Sequence, residues 1–298
     1  MCSDRRREAP LEPLVSVLLA SYNHERFVEA SVRSVMAQKG VAFELLVLDD
    51  GSTDASPGIL AKLSREFGFK FLHRANKGLV KTLNELLGMA RGKYFCTFSS
   101  DDVMPAGRLR LQAEFLEAHP EYVACYGQVR EMLPDGSAGR RDPRYERALP
   151  EASFEELFLG KKALHGCADF IRAREFRELG GYDERFLAED FPSHLALSSR
   201  YGSLAVVDID CCTYRLHSTN VHYDSEKIYR GFLAALELYK EHPLYRSAVR
   251  RFKSAWFSEL AYVNKREALR RLPELASFTP VFFKRFLKLF IPKRFLRF

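Results

Sequence analysis

Between Leu14 and Phe98 the chain alternates short apolar runs with amphipathic stretches, and that alternation narrows its folds more than any other feature. Leu14-Val-Ser-Val-Leu-Leu-Ala20, Phe43–Leu48 and Tyr94–Phe98 are almost continuously apolar. Strands of that kind are buried on both faces, which requires helices on either side of a sheet. Between them, Glu25–Gln38, Ile59–Phe67 and Leu79–Ala90 place apolar residues at helical spacing, and Lys39-Gly40 supplies a stop. Lys70-Phe-Leu-His73 adds a shorter strand. The series predicts right-handed crossovers and an α/β fold with a mainly parallel central sheet, its ligands gathered at the C-terminal ends of the strands.

Two of those ends carry paired acids, Asp49-Asp50 and Asp101-Asp102. Neighbouring carboxylates repel one another and resist burial, so such pairs point to a metal, basic neighbours or ligand hydrogen bonds. A metal-bound nucleotide is the ligand expected. A plainer reading of Asp49-Asp50-Gly51-Ser52 is turn and helix-cap chemistry, for which Asp, Gly and Ser are suited.

Beyond residue 105 the pattern gives a helix at Arg108–Ala118, a strand near Tyr122–Gly127, a polar loop over Pro134–Pro143 expected to be mobile, and a helix near Phe154–Leu159. Then come Asp169-Phe-Ile-Arg172, Gly180-Gly181-Tyr182-Asp183, Glu189-Asp190, a helix to Tyr201 and a strand at Ser203–Val207, with helical pattern from Ser225 onward. With 298 residues, 47% of them hydrophobic, the chain fills a sizeable core as one large domain or two small ones. Its six cysteines show no Cys-x-x-Cys and no zinc spacing, and are read as reduced core thiols. The N-terminus, with Arg5-Arg6-Arg7, lacks the apolar stretch of a secretory signal, and no run is long enough to span a bilayer, which predicts a cytoplasmic protein.

The net charge of +7 is local. From Val281 on there are Lys284, Arg285, Lys288, Lys293, Arg294 and Arg297 and no acid. As a helix, Val281–Ile291 puts Phe282, Phe283, Phe286, Leu287, Leu289 and Phe290 on one side and Lys284, Arg285 and Lys288 opposite. Such a helix reads as an interfacial anchor drawn to an anionic membrane surface, here the inner face of the cytoplasmic membrane, with no nucleic acid as partner. The other reading is a terminal helix packed on its own protein.

Seven elements in order, Val-Ser-Val-Leu-Leu-Ala-Ser-Tyr-Asn, Leu-Asp-Asp-Gly-Ser-Thr-Asp, Asn-Lys-Gly, Ser-Asp-Asp, Gly-Gly-Tyr-Asp, Glu-Asp and Arg-x-His, resemble family 2 inverting glycosyltransferases of the GT-A fold, of the type that builds bacterial cell-surface polysaccharide and lipopolysaccharide. The resemblance runs from about Pro13 to Asn220 and leaves the C-terminal helices outside. It implies a GT-A domain over 13–225, and the residue pattern on either side adds a flexible tail at 1–12 and a helical, membrane-associating region over 226–298.

Residue by residue, the resemblance puts Ser21, Tyr22 and Asn23 around the donor's base and ribose, with Asp50 hydrogen-bonding one of them. Asn76 and Gly78 fall in a second nucleotide-contacting loop. Lys77 there either neutralises phosphate or is a solvated lysine. Where the family has Asp-x-Asp, this chain has Ser99-Ser100-Asp101, so the first acid is missing. Asp101 keeps the reach to a divalent ion, Mn²⁺ or Mg²⁺, while Ser99 and Ser100 offer neutral oxygens beside the donor. Asp102 is a donor-sugar contact or the cap of the helix after Pro105. His217 looks like the position that closes over metal and diphosphate, and Arg215 like a phosphate clamp.

Glu189-Asp190 stands where the family's acceptor-activating acid stands, which makes Asp190 the catalytic base and Glu189 its support. An inverting transfer needs one carboxylate to take the acceptor's proton on the face opposite the leaving diphosphate. The same pair also suits a helix N-terminus. His165-Gly166-Cys167 is assigned to core packing.

The implied activity is transfer of a hexosyl or deoxyhexosyl group from a UDP, dTDP or GDP sugar to a glycan acceptor, lipid-linked in the pathway implied. A nucleotidyltransferase would carry a Gly- and Arg-rich loop after the first strand, where this chain has Ser21-Tyr22-Asn23-His24. A membrane-tethered binding protein without turnover is the other rival, left open by Ser99.

Overall fold

The computed structural model describes residues 12–133, 135–216, 225–276 and 280–290. The chain divides into two compact units, one of Met1–Ala152 with Leu164–Leu216, the other of Ser153–Ala163 with His217–Phe298.

Among the described residues the first unit holds nine strands: β1 (Val15–Ser21), β2 (Phe43–Asp49), β3 (Lys70–His73), β4 (Tyr94–Ser99), β5 (Ala124–Met132), β6 (Ala138–Arg141), β7 (Glu151–Ala152), β8 (Asp169–Arg172) and β9 (Leu204–Tyr214). They form one sheet in the order β3-β2-β1-β4-β8-β5-β9-β7, with β6 paired to β5. β3, β2, β1 and β4 are all parallel. Antiparallel pairing enters through β6, β7 and β8.

The apolar runs sit where their composition demands. Val17, Leu18 and Leu19 of β1 are fully buried. Val15, Val17 and Leu19 pack in one cluster with Val28, Val32 and Val35 of the helix Val28–Met36 and with Leu109 and Leu116 of the helix Arg108–Ala118. The helix Leu79–Met89 packs on β1 and β2. Each buried aliphatic side chain contributes about 1.5–3 kcal/mol, which fixes the register of the sheet. That register aligns the ends of the strands: Ser21 lies opposite Asp49, and Ala20 opposite Ser99.

One interior cation ties the two halves of the sheet. The Arg108 guanidinium, wholly buried, donates to Cys211 O at 3.0 Å, Asp169 O at 2.9 Å and Gln112 Oε1 at 2.9 Å. The described cysteines, Cys96, Cys125, Cys167, Cys211 and Cys212, are all thiols.

The segment Pro134–Pro143, expected as a mobile loop, instead contains β6 and leads into a short helix, Pro143–Glu146. Charge pairing explains the difference: Arg141 pairs with Asp208 and, at 2.7 Å, with Asp210, which also takes Arg130 at 2.6 Å. The helix expected from Glu25 begins three residues later, because His24 O turns back to accept Phe27 N and Val28 N.

The second unit is helical, with Ser225–Glu237, Tyr245–Val263, Lys265–Arg270, Leu272–Leu275 and Pro280–Phe286 as its later helices. Trp256, Phe257, Leu260, Leu275, Phe282 and Leu289 form its core, and Tyr229 stacks on Trp256 at 5.9 Å. The terminal segment divides its apolar residues. Phe282, Phe286 and Leu289 pack inward, while Phe283, Leu287 and Phe290 are 54%, 59% and 72% exposed. A single lipid-facing apolar side, as the helical wheel suggested, is thereby corrected: half of it docks on Phe257, and Lys265 Nζ holds Leu289 O at 2.7 Å. Among the described residues no helix is long and apolar enough to cross a membrane.

Candidate active site

The site lies along the C-terminal ends of β2, β1 and β4, and the first acid pair shows how it is built. Asp49 is fully buried and accepts Ser52 N at 2.9 Å and Ser52 Oγ at 2.6 Å, with His73 Nδ1 2.9 Å away. It closes the turn and faces no cleft. Asp50, beside it, is 4% exposed and accepts Lys77 N at 2.8 Å, Gly78 N at 2.9 Å and an Arg74 guanidinium hydrogen. Asn76 Nδ2 in turn donates to Asp50 O at 2.8 Å. The Asp50 carboxylate therefore shapes the Asn76–Gly78 loop directly. A Cβ on Gly51, whose φ is +80°, would lie 2.6 Å from Asn76 N, so the close approach of the two loops needs glycine there. Lys77 Nζ pairs with Glu85 at 2.9 Å.

After β1, Ser21 accepts Asp50 N on its carbonyl at 2.8 Å, and its hydroxyl is buried with no hydrogen-bond partner. Tyr22 is 49% exposed. Asn23, at φ +53°, holds the next loop: its N–H donates to Ser52 Oγ at 2.8 Å and its Oδ1 accepts Thr53 N at 2.8 Å. His24 follows, with Nδ1 2.7 Å from Ser100 Oγ and 4.0 Å from Asp101 Oδ1.

The turn Ser99–Asp102 is pinned from several sides. Ser99 Oγ lies 3.0 Å from Cys167 Sγ, and its carbonyl accepts Ser31 Oγ at 2.8 Å. Asp102 is fully buried and accepts Arg215 N at 2.9 Å and the Cys212 thiol at 3.4 Å. The helix Arg108–Ala118 is capped at Gly107 with no side-chain hydrogen bond, which corrects the reading of Asp102 as its cap. Burial, reinforced by the charge of Asp101, pushes its carboxyl up to about 8. Arg215 Nε donates to Asp101 O at 2.9 Å and its guanidinium stacks over Phe27 at 4.7 Å.

The second acid pair of interest, Glu189-Asp190, opens the helix Asp190–Tyr201. Asp190 Oδ1 accepts Phe191 N at 2.7 Å, as a helix N-terminus favours. What brings it toward the Ser99–Asp102 turn is a short 3₁₀ turn, Gly166–Ala168. Cys167 reaches Ser99, Gly166 O accepts Thr97 Oγ1 at 3.2 Å, and a Cβ on Gly166 would lie 3.3 Å from Asp190 Cβ and 3.5 Å from Glu189 Oε1. His165-Gly166-Cys167 is therefore a connector between the two acid segments, with Cys167 also packed against the core cluster as expected. No sequence signal marked it beyond a glycine between two reactive residue types.

Burial and then the Asp190 charge push Glu189 up to about 8; burial raises Asp190 as well, with His165 acting in the opposite sense. Burial lowers His165 to about 4, so its imidazole is neutral, and Nδ1 accepts Cys167 N at 3.1 Å. Behind them Asp169, raised to about 7 by burial, accepts Thr97 N at 2.7 Å and Thr97 Oγ1 at 2.8 Å.

Asp50, Asp101 and Asp190 are thus linked through one row of contacts along β2, β1, β4 and the connector. His217 lies outside the described residues. Among the described residues no three His, Cys, Asp or Glu side chains form a cluster able to hold a metal.

A parallel sheet with acid-bearing loops at one edge defines an α/β protein with its ligand site at the strand ends. The profile of Glycosyl transferase family 2 matches residues 16–179, just over half of the chain, and the chain belongs to that family. It is a glycosyltransferase with the expected GT-A fold. A Haemophilus influenzae protein described as an uncharacterized glycosyltransferase is 28% identical over 228 residues, 72% of this chain and 70% of its own length. Other curated relatives are spanned over 25% to 63% of their length. S. aureus TarS 1-349, solved in complex with UDP-GlcNAc, superposes with a TM-score of 0.66 at 16% identity, covering 94% of this chain and 82% of that one. The mannosyltransferase PcManGT from Pyrobaculum calidifontis, in complex with GDP-Man and Mn²⁺, gives 0.62 at 16% identity over 93% and 84%.

Proposed function

We propose that this glycosyltransferase moves a sugar from a nucleoside diphosphate donor to a glycan acceptor with inversion, Asp190 serving as the base. The observation that carries the reading is the connector: Gly166 lies so near Asp190 that a Cβ on it would stand 3.3 Å from Asp190 Cβ, and the adjoining Cys167 Sγ is 3.0 Å from Ser99 Oγ, so an acceptor hydroxyl at Asp190 and a diphosphate at Asp101 would share one cleft. Asp190's raised proton affinity suits a base that must hold the acceptor's proton. Glu189, pushed up to about 8, would stay protonated at neutral pH and leave the single negative charge of the pair on Asp190.

The buried, unpaired Ser21 hydroxyl supports a polar ligand at the base-and-ribose end, beside Tyr22 and the Asn76–Gly78 loop. Asp50 and Asn23 would act there by ordering those loops. Asp101 fits a hard cation, Mn²⁺ or Mg²⁺, whose remaining positions would fall to diphosphate and water. When bound, such a cation neutralises charge on the departing diphosphate. Complexes of fold neighbours with UDP-GlcNAc and GDP-Man favour UDP or GDP sugars within the set of UDP, dTDP and GDP.

The second unit would serve the acceptor side. From His217 onward the sequence has 17 Lys and Arg against 7 Asp and Glu, and Phe283, Leu287 and Phe290 are exposed at i, i+4, i+7 spacing. An anionic membrane face and a lipid-linked acceptor of cell-surface polysaccharide or lipopolysaccharide assembly fit that surface. The domain limits near residues 13 and 225 belong to this proposal, with Ser153–Ala163 and the residues from His217 grouped in the second unit.

The test is nucleoside diphosphate release from a panel of UDP, dTDP and GDP sugars with Mn²⁺. Asp190→Asn should lower turnover by about 10²–10⁴-fold with donor affinity intact. Undiminished release in that variant removes Asp190 from the base role. Donor binding with no release by the wild type, over the whole panel and with acceptor extracts, favours the binding-protein reading that Ser99 leaves open.

A further inference from the structure

The acid absent at position 99 leaves the Ser99–Asp102 turn short of ligands, and its neighbours do not make up the loss. Ser99 Oγ is directed at Cys167 Sγ, 3.0 Å away. Asp102 is fully buried, its carboxylate held by Arg215 N and the Cys212 thiol. What does approach Asp101 is a ring from another strand end: His24 Nδ1 stands 4.0 Å from Asp101 Oδ1 and 2.7 Å from Ser100 Oγ.

We propose that His24 is a protein ligand of the divalent cation served by Asp101, taking the place left by the missing acid. This rests on the donor-and-metal reading above. Two ligands each about 2.1 Å from one ion stand about 3–4.2 Å apart, so Nδ1 and Asp101 Oδ1, 4.0 Å apart, are spaced to share an ion once Nδ1 exchanges its Ser100 hydrogen bond for it. His24 is also fixed for the task. Its N–H donates to Ser56 Oγ at 3.0 Å, and its ring meets the edge of Phe27 at 6.2 Å. Its side chain is 21% exposed and that of Asp101 9%. The chemistry has a consequence for selectivity. Imidazole suits Mn²⁺ better than Mg²⁺, whereas a second carboxylate would serve either, so replacing acid by His24 shifts the site toward Mn²⁺.

A purely structural His24, tying the loop after β1 to Ser100, is the reading to be separated from this one. The experiment measures Mn²⁺ and Mg²⁺ affinity of the full chain in saturating UDP or GDP, whichever stabilises the wild type, for wild type, His24→Ala and His24→Asn. Asn keeps a polar atom near the place of Nδ1 and can hold Ser100, but it is a poor substitute for imidazole on Mn²⁺. The expected result is a Mn²⁺ affinity about 10- to 100-fold weaker in both variants, a much smaller loss for Mg²⁺, and nucleotide affinity without metal unchanged. Pulsed electron paramagnetic resonance should show nitrogen coupling on wild-type Mn²⁺ that is reduced in His24→Asn. Equal losses for both metals with recovery in His24→Asn, an unaltered Mn²⁺ affinity, or no nitrogen coupling in the wild type each overturn the proposal. A wild type that binds nucleotide with no response to metal overturns it and leaves sugar transfer standing. A wild type that binds none of UDP, dTDP and GDP overturns the donor reading as well.

Discussion

Gly166→Ala tests the connector with the smallest possible change. An alanine Cβ would stand 3.3 Å from Asp190 Cβ and 3.5 Å from Glu189 Oε1. Carbon atoms rest comfortably at about 3.5–4.0 Å, so the helix start must give way by about 0.2–0.7 Å. Misplacing a reacting group by about 1 Å costs about 10²-fold, which puts the expected fall in kcat near 10-fold for this smaller shift. Stability should fall by about 0–2.6 kcal/mol, the crowding cost less what alanine returns. Crowding costs about 1–3 kcal/mol, and the lower chain entropy of alanine returns about 0.4–1 kcal/mol, provided the backbone is compatible. Gly166 is not in the left-handed region, so it is. The assay is nucleoside diphosphate release at saturating donor, with donor affinity by calorimetry and melting temperature measured alongside. An unchanged kcat refutes the role given to the connector, as does a loss of activity fully explained by weaker donor binding.

Asp50→Ala removes the acceptor of Lys77 N, Gly78 N and Arg74, and two orphaned backbone donors together predict a loss of about 3 kcal/mol in urea unfolding. A stability within about 0.5 kcal/mol of wild type, with only nucleotide affinity lost, would assign Asp50 to direct contact instead. Stability should also depend on pH with a definite sign. Glu189 and Asp102 are raised to about 8 and Asp169 to about 7 by burial, whereas unfolded carboxyls titrate near about 4. The folded chain therefore holds more protons, and stability falls as pH rises toward 8. His165 and His194, lowered to about 4 and about 3, oppose this only below about pH 6.5, where the unfolded imidazoles are charged. Melting temperature should therefore drop between pH 6.5 and 8.5, less steeply in Glu189→Gln, and a rise over that interval contradicts the assignment. Finally, the full chain should sediment with vesicles containing phosphatidylglycerol and not with neutral ones, and Phe283→Glu with Leu287→Glu and Phe290→Glu should release it; binding indifferent to lipid charge or to these changes sinks the membrane reading.

The parallel half of the sheet was legible because burial on both faces leaves a signature in single residues. Lys70–His73 and Arg108–Ala118 coincide with the predicted elements, and Tyr94–Phe98 is longer by one residue. What escaped prediction depends on contacts distant in sequence. The strand near Tyr122–Gly127 extends to Met132 because β9 and β6 pair with it, and the 134–143 segment is structured by Arg141 against Asp208 and Asp210. At the site, motif positions identified which acids mattered but not how each is used. Whether Asp50 meets a ligand or a loop N–H, and whether Asp102 faces a cleft or Arg215, is decided by the partners the fold delivers. His24 and Gly166 carried no local signal, since a lone histidine after a strand and a lone glycine have many uses.

The position of β8 has a consequence for synthesis. This four-residue strand is inserted between β4 and β5, antiparallel to both, although it lies 37 residues beyond the end of β5. Until it emerges from the ribosome, the outer edge of β4 and the facing edge of β5 have no partner, and Arg108 lacks the Asp169 and Cys211 carbonyls that satisfy it. At about 5–20 residues per second that interval lasts seconds, with open strand edges presented to the crowded cell. The nascent chain thus has a window of vulnerability that closes only when its latest strands arrive.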